Sequence, residues 1–258
     1  MIPYGKQDIS DLDINSVLEV LKSNFLTQGP KVPEFEDELK IYCGAEYAIA
    51  ANSATSALHI ACLALGLKKG DYLWTSPVTF VASANVGLYC EANIDFVDID
   101  SETYTMSPLK LKEKFVKAKQ ENKLPKILVP VHLAGYPCEM NEISDLCKEY
   151  GVKVIEDASH AIGASYQDKK IGSCDYSDIT VFSFHPVKII TSGEGGVALT
   201  NKESLAKKME LYRCHGITRN LKMMEGSPHG PWYYQQIELG FNYRMSDIHA
   251  ALGISQLK

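Results

Sequence analysis

An acid pair and a lysine, each at the end of a short apolar run, are the residues here best suited to chemistry. Glu156-Asp157 closes the run Val152–Ile155 and leads to His160, while a second run, Ile179–Phe184, delivers Ser183, His185 and Lys188. Ligands of an open parallel sheet sit outside the carboxyl ends of its strands. Two strands that carry an acid and a lysine to one such edge therefore mark a site. Taken singly, a lysine near a carboxylate is an ordinary surface ion pair. Lys188 rises above that because it follows a buried-type strand and precedes the turn Ser192-Gly193-Glu194-Gly195-Gly196. A lysine partly withdrawn from water loses its proton near neutral pH and can attack a carbonyl to form a Schiff base.

The elements that must position these groups alternate strand and helix. Apolar residues at Ile14, Val17, Leu18 and Leu21 predict a helix over Asp13–Ser23, and a second amphipathic helix, Glu34–Tyr42, stops at Gly44, a left-handed cap. AEYAIAAN reads as the first buried strand and runs directly into NSATSALHIACLALGL, a helix. Asn52, Ser53 and Thr55 then stand at a helix N-terminus, where free N–H groups and the dipole favour an anion such as phosphate. The ordinary reading of that turn is a plain Ser cap.

Strands at Tyr72–Thr75, Ile94–Ile99, 126–133 and GGVALT alternate with helices over PVTFVASANVGLYC (Pro77 in its first turn), Pro108–Lys119, Glu142–Tyr150 and NKESLAKKMELYRCHG. This alternation predicts an α/β fold of three layers, a mostly parallel sheet covered on both faces. No GxGxxG follows any strand, so a dinucleotide fold has no local support. Residues 216–240 read as a Gly/Pro-rich loop, and Ser246 opens a last capped helix that runs to Lys258.

Composition bounds the function. A chain of 258 residues with 45% hydrophobic content buries a full core, and a net charge of −6 argues against a nucleic-acid footprint. Nothing reaches the roughly 18 apolar residues of a membrane span, and the opening MIPYGKQDISD lacks the pattern of a signal peptide. Seven scattered cysteines without a CxxC pair read as reduced core thiols in a cytoplasmic protein, with no metal site.

Pyridoxal 5'-phosphate requires a lysine, an acid for its ring nitrogen, an anion pocket for its phosphate and a flat apolar residue against its ring. Ser53-Ala54-Thr55, Phe80, Asp157 and Lys188 supply all four. FLTQGPKVPEFE, NSATSALH, SPVTFVASAN, VIEDASHAIGASY, SFHPVKIITSGEGG and GFNYRMSDIHAALG follow one another along the chain. With these motifs the sequence resembles the PLP-dependent nucleotide-sugar aminotransferases of the DegT/DnrJ/StrS family, fold type I, over essentially every residue. MIPYGKQDI, the SFHPVK box and HGITR with GPWYY are most similar to the branch that acts in pseudaminic acid synthesis.

The resemblance implies an aminotransferase that moves nitrogen, by family analogy from L-glutamate, to C4 of a UDP-linked 4-keto-6-deoxy-N-acetylhexosamine. Lys188 would hold the cofactor covalently and move the proton, Asp157 would pair with the ring nitrogen, and His160 would approach the O3' side. Phe80 would stack on the ring; Ala54, Thr55 and Ser183 would bind the phosphate. Asn242 would reach that phosphate from a neighbouring subunit, so a homodimer with shared sites is implied. Sugar dehydratases of the family carry a histidine in place of the lysine, and Lys188 argues against that activity.

The expected organisation is an N-terminal helical segment (1–45) packed on a PLP-binding large domain (46–245), then the start of a helix (246–258) leading to a C-terminal domain that relatives have and this sequence lacks. That truncation predicts exposed apolar surface on the last helix, and leaves a non-catalytic cofactor-binding or dimerising remnant, or a 4-amino-sugar transaminase of different stereochemistry, as alternatives. Arg213, Arg219 and Arg244 are unranked candidates for a donor carboxylate or the UDP diphosphate.

Overall fold

The computed structural model describes residues 5–258, so the first four residues of the MIPYGKQDI stretch lie outside it. The helices are α1 (Asp11–Leu21), α2 (Lys31–Cys43), α3 (Ala54–Ala64), α4 (Ala82–Tyr89), α5 (Pro108–Glu121), α6 (Met140–Tyr150), α7 (Glu203–Arg213) and α8 (Asp247–Leu257). The main strands are β1 (Tyr47–Ala51), β2 (Tyr72–Thr75), β3 (Asn93–Phe96), β4 (Ile127–Val129) and β5 (Lys153–Asp157). A two-residue hairpin follows, β6 (Ser165–Tyr166) and β7 (Lys169–Lys170), then β8 (Ile179–Ser183) and β9 (Gly196–Thr200). A last short pair, β10 (Ile217–Thr218) and β11 (Gln235–Gln236), crosses the segment expected to be loop. None of the helices described is long and apolar enough to cross a membrane.

Seven strands form one sheet in the order β1-β9-β8-β5-β4-β2-β3. Pairing is parallel from β8 through β3, while β9 runs antiparallel to both β1 and β8. The expected mostly parallel sheet is therefore present, with β9 the single reversed strand. Its reversal is local: no helix lies between β8 and β9 to make the crossover a parallel neighbour needs. The loop that joins them instead turns back and carries Lys188. Both sheet faces are covered. Ile49, Leu73, Ile155 and Val181 pack under α3, α4 and α7, whereas Phe182, Leu199, Val154 and Leu128 face α2, α8, α5 and α6.

Element ends follow local chemistry. Gly44 and Gly151 close α2 and α6 at φ of +78° and +70°, the left-handed conformation glycine adopts without a Cβ penalty. Pro130, which has no N–H to give a ladder, ends β4 early, and the chain turns through a 3₁₀ segment at Leu133–Gly135. β3 likewise stops at Phe96, and Ile99 pairs only through an isolated bridge to Met106. α4 begins at Ala82, not in the turn after Pro77, because the preceding residues form a separate turn in which Ser83 N–H reaches Phe80 O at 3.3 Å.

The expectation for the last helix is corrected. α8 is packed, with Ala250, Ala251, Gly253 and Ile254 buried against α1 and α2. A Cβ on Gly253 would stand 2.7 Å from Phe35 Cζ, so the small residue sets the closeness of that packing. The exposed apolar surface lies instead on α1. Its capping-box residue Asp13 and Val20 face inward, and Leu12, Ile14, Leu18 and Leu21 stand in solvent.

Candidate active site

Six same-direction strand ends and the start of β9 lie along one edge of the sheet, and a cavity of about 650 Å³ opens there. Its wall includes Ala54, Thr55, Phe80, Asp157, His160, Ser183 and Lys188, whereas Asn52, Asn242 and the candidate arginines Arg213, Arg219 and Arg244 do not line it.

The anion end is built by β1 running into α3. Ser53, in extended conformation, caps the helix by accepting Ser56 N–H at 3.1 Å. That bond serves the third residue of the helix. The N–H groups of Ala54 and Thr55, first and second in the helix, have no partner within it and point out of its end. β9 starts directly behind: a Cβ on Gly196 would come within 2.3 Å of Ala54 N. Only glycine lets the strand lie that close. Ser183, buried at the end of β8 and paired with Gly196, adds a hydroxyl beside this end.

Asp157 ends β5 and is buried. Its Oδ1 accepts both the hydroxyl and the N–H of Ser159, at 2.6 and 3.2 Å, and its Oδ2 accepts the Ser83 hydroxyl at 2.7 Å. Lys188 is half-buried and makes no ion pair among the described residues. Burial holds its pKa below the usual lysine value, and the Asp157 charge offsets part of that. The surface-ion-pair reading of Lys188 therefore fails, and its amine is poised to act as a nucleophile.

His160 Nδ1 accepts the Ala134 N–H at 3.2 Å. The neutral ring then carries its proton on Nε2. Burial and the nearby Lys188 charge both hold the His160 pKa below its usual value, against the pull of Asp157. Phe80 lines the cavity with 72% of its surface exposed, offering a flat apolar face there. His185 is exposed on the same rim, its Nδ1 accepting Val187 N–H at 3.4 Å.

Other candidates fall elsewhere. Asn242 is exposed and outside the cavity, with its carbonyl at 3.5 Å from Asn52 Nδ2. Arg213 is committed to Glu36 at 2.5 Å and to the Ala50 carbonyl at 2.7 Å, joining α7, α2 and β1. It is a structural cation and leaves the list of anion ligands. Arg244 points Nη1 at Cys214 Sγ, 3.4 Å away. Glu156, adjacent to Asp157, turns to the opposite face of the sheet and bonds His132, Ser177 and Thr180.

Sequence reasoning missed Ser159, Ser83 and the Ala134 N–H. Ser159 carried a signal, since an Asp two residues before a Ser is an Asx-turn pattern. Ser83 and Ala134 carried none.

These residues match pyridoxal phosphate part by part: a helix end for the phosphate, a buried acid for the ring nitrogen, an apolar face for the ring and a free, partly desolvated lysine for the carbonyl carbon. The DegT/DnrJ/EryC1/StrS aminotransferase family matches residues 7–258, and the chain belongs to that family. It is 44% identical over 258 residues to the UDP-4-amino-4,6-dideoxy-N-acetyl-beta-L-altrosamine transaminase of Campylobacter jejuni (strain 81-176), covering 100% of this chain and 64% of that protein. Helicobacter pylori PseC, an aminotransferase involved in pseudaminic acid biosynthesis, superposes with a TM-score of 0.86 at 34% identity over 99% of this chain and 64% of its own. The PLP form of the sugar aminotransferase Spr1654 from Streptococcus pneumoniae superposes with a TM-score of 0.85 at 28% identity, over 99% of this chain and 66% of its own. The chain thus spans less than two thirds of the length of its curated relatives.

Proposed function

We propose that the chain is the cofactor-binding part of an aminotransferase that moves an amino group from L-glutamate to C4 of a UDP-linked 4-keto-6-deoxy-N-acetylhexosamine, in pseudaminic-acid-type sugar biosynthesis. One observation carries the reading: Lys188, Asp157 and the open N-terminus of α3 face a single cavity. The names of the C. jejuni and H. pylori proteins support the sugar class.

In this reading Ala54 and Thr55 donate N–H groups, and Thr55 and Ser183 donate hydroxyls, to the phosphate. Phe80 covers one ring face and excludes water from it. Asp157 keeps a proton on the ring nitrogen, because a buried carboxylate favours the cationic form of a group beside it. His160 offers its Nε2 proton toward the ring's phenolic oxygen. Pyridoxal phosphate, when bound, supplies an electron sink for the bond broken at the donor Cα. Lys188 would hold the group through its amine and, when that amine is free, would serve as the base that moves the donor Cα proton; its lowered pKa suits it to both tasks. Asn242 completes the phosphate site of a neighbouring copy, which makes the working unit a homodimer.

The test is a half-reaction. The chain loaded with pyridoxal phosphate is mixed with L-glutamate, and the cofactor absorbance and 2-oxoglutarate are followed; the UDP-4-keto sugar is then added and UDP-amino sugar sought by mass spectrometry. Stoichiometric 2-oxoglutarate followed by the amino sugar is expected. A loaded chain that yields neither is a binding or dimerising remnant, and the proposal fails for it.

A further inference from the structure

A buried hydroxyl that no role above uses touches the acid of the site. Ser83, on the first turn of α4 and fully buried, stands between Asp157 Oδ2 at 2.7 Å and Thr79 Oγ1 at 2.8 Å. Its single proton has three acceptors in reach, the Asp157 carboxylate, Thr79 Oγ1 and the Phe80 carbonyl at 3.3 Å. The shorter bond to a charged oxygen wins. Ser83 Oγ is then an acceptor toward Thr79, and Thr79 must donate. The hydroxyls form a one-way chain, Thr79 to Ser83 to Asp157, and Thr79 itself lines the cavity.

The two carboxylate oxygens are not equivalent. Oδ1 already takes two donors, both from Ser159, which fills its lone pairs. Oδ2 takes Ser83 alone and keeps one lone pair. A protonated ring nitrogen can therefore be received only at Oδ2, the oxygen that Ser83 holds. Ser159 belongs to the same turn as Asp157, whereas Ser83 lies 74 residues away on another element.

We propose that Thr79 and Ser83 are positioning residues for the pyridine-nitrogen contact: they orient the Asp157 carboxylate, withdraw charge from Oδ2, and so set how far the ring proton stays on nitrogen. The relay springs from the turn that carries Phe80, so the residue stacked on the ring and the acid at its nitrogen are held by one element. This rests on the cofactor reading above.

Without the Ser83 donor, Oδ2 is no longer held in aim at the ring nitrogen, and a carboxylate that swings away from it lets the proton leave the ring more readily. A less cationic ring makes the nitrogen joining cofactor to Lys188 more basic. The readout is the pH midpoint of the bound cofactor's absorption change, measured without any substrate. Ser83→Ala is expected to raise that midpoint by roughly half a unit, and Thr79→Val to raise it by less. The double variant should match Ser83→Ala alone, because Thr79 acts only through Ser83. Additive shifts, or an unmoved midpoint in Thr79→Val, would overturn the relay even where Ser83→Ala fails to fold. A wild-type chain that takes up no cofactor overturns the site reading and the relay together, whereas a loaded wild type with unshifted variants overturns the relay alone.

Discussion

Glu156 and Asp157 are consecutive carboxylates on one strand, each beside a histidine and hydroxyls, yet they do opposite things. On the back face Glu156 accepts from Ser177 and Thr180 at Oε1 and meets His132 Nε2 at 2.8 Å through Oε2, while Cys138 N–H occupies His132 Nδ1. His132 has no exposed surface. Every strong donor and acceptor of that cluster has a partner. On the cavity face Asp157 keeps a lone pair, His160 keeps Nε2–H, Lys188 keeps its amine and α3 keeps two N–H groups. A polar cluster that is closed stabilises the fold; one that is open toward a cavity is available to a ligand.

The contrast is broken first by Lys188→Ala. Amine transfer should fall by at least about 10³-fold, with the thermal midpoint within about 2 °C of wild type because no group among the described residues bonds the amine. A large loss of stability in this variant would place Lys188 on the structural side. Glu156→Ala should do the reverse. It leaves His132, Ser177 and Thr180 buried without their acceptor, which costs about 3 kcal/mol. Urea denaturation reads that loss, and the folded fraction should still attach cofactor at Lys188. Asp157→Asn comes next: it keeps the bond from Ser83 and most of the stability, retains part of the cofactor, and loses turnover by about 10²-fold. Near-normal rates would remove Asp157 from its role.

The smallest effect is a difference in pH response between the two faces. Burial alone would raise the Glu156 pKa, but hydrogen bonds from His132, Ser177 and Thr180 outweigh it and hold it below 4.5. Its contribution is therefore complete above the unfolded value and is lost as pH falls through the folded one. Burial and Lys188 hold His160 below 6.5, so the folded chain without cofactor resists its protonation. Stability declines from that source once pH drops under the unfolded histidine value. Acid unfolding curves should show an early shallow loss that His160→Gln removes and a steeper one below 4.5 that Glu156→Gln removes. A single transition unaffected by either variant would contradict the assignment.

Much of this was legible in the residues. The strand that runs straight into Asn52-Ser53 announces a helix N-terminus, and the apolar runs before Asp157 and Lys188 put both at one sheet edge. Strand alternation sends Glu156 and Asp157 to opposite faces, although which face holds the cavity depends on the helices that cover the sheet. What stayed hidden depends on contacts between distant elements. Ser83 is an ordinary helix residue until α4 is laid against β5. The apolar stripe of α1 predicts a buried face, but the capping pair Ser10 and Asp13 sits against α8, where Gln256 Nε2 donates to Asp13 at 2.9 Å, and turns that stripe outward. Arg213 has the chemistry of an anion ligand, but Glu36, 177 residues away in sequence, occupies it.

The most direct measurement of the central claim is covalent. The purified chain is incubated with pyridoxal phosphate, reduced with borohydride, digested and mapped by mass spectrometry. The open cluster predicts one pyridoxyl group, on the peptide containing Lys188. Label on another lysine, or none in a sample shown to be folded, would contradict it.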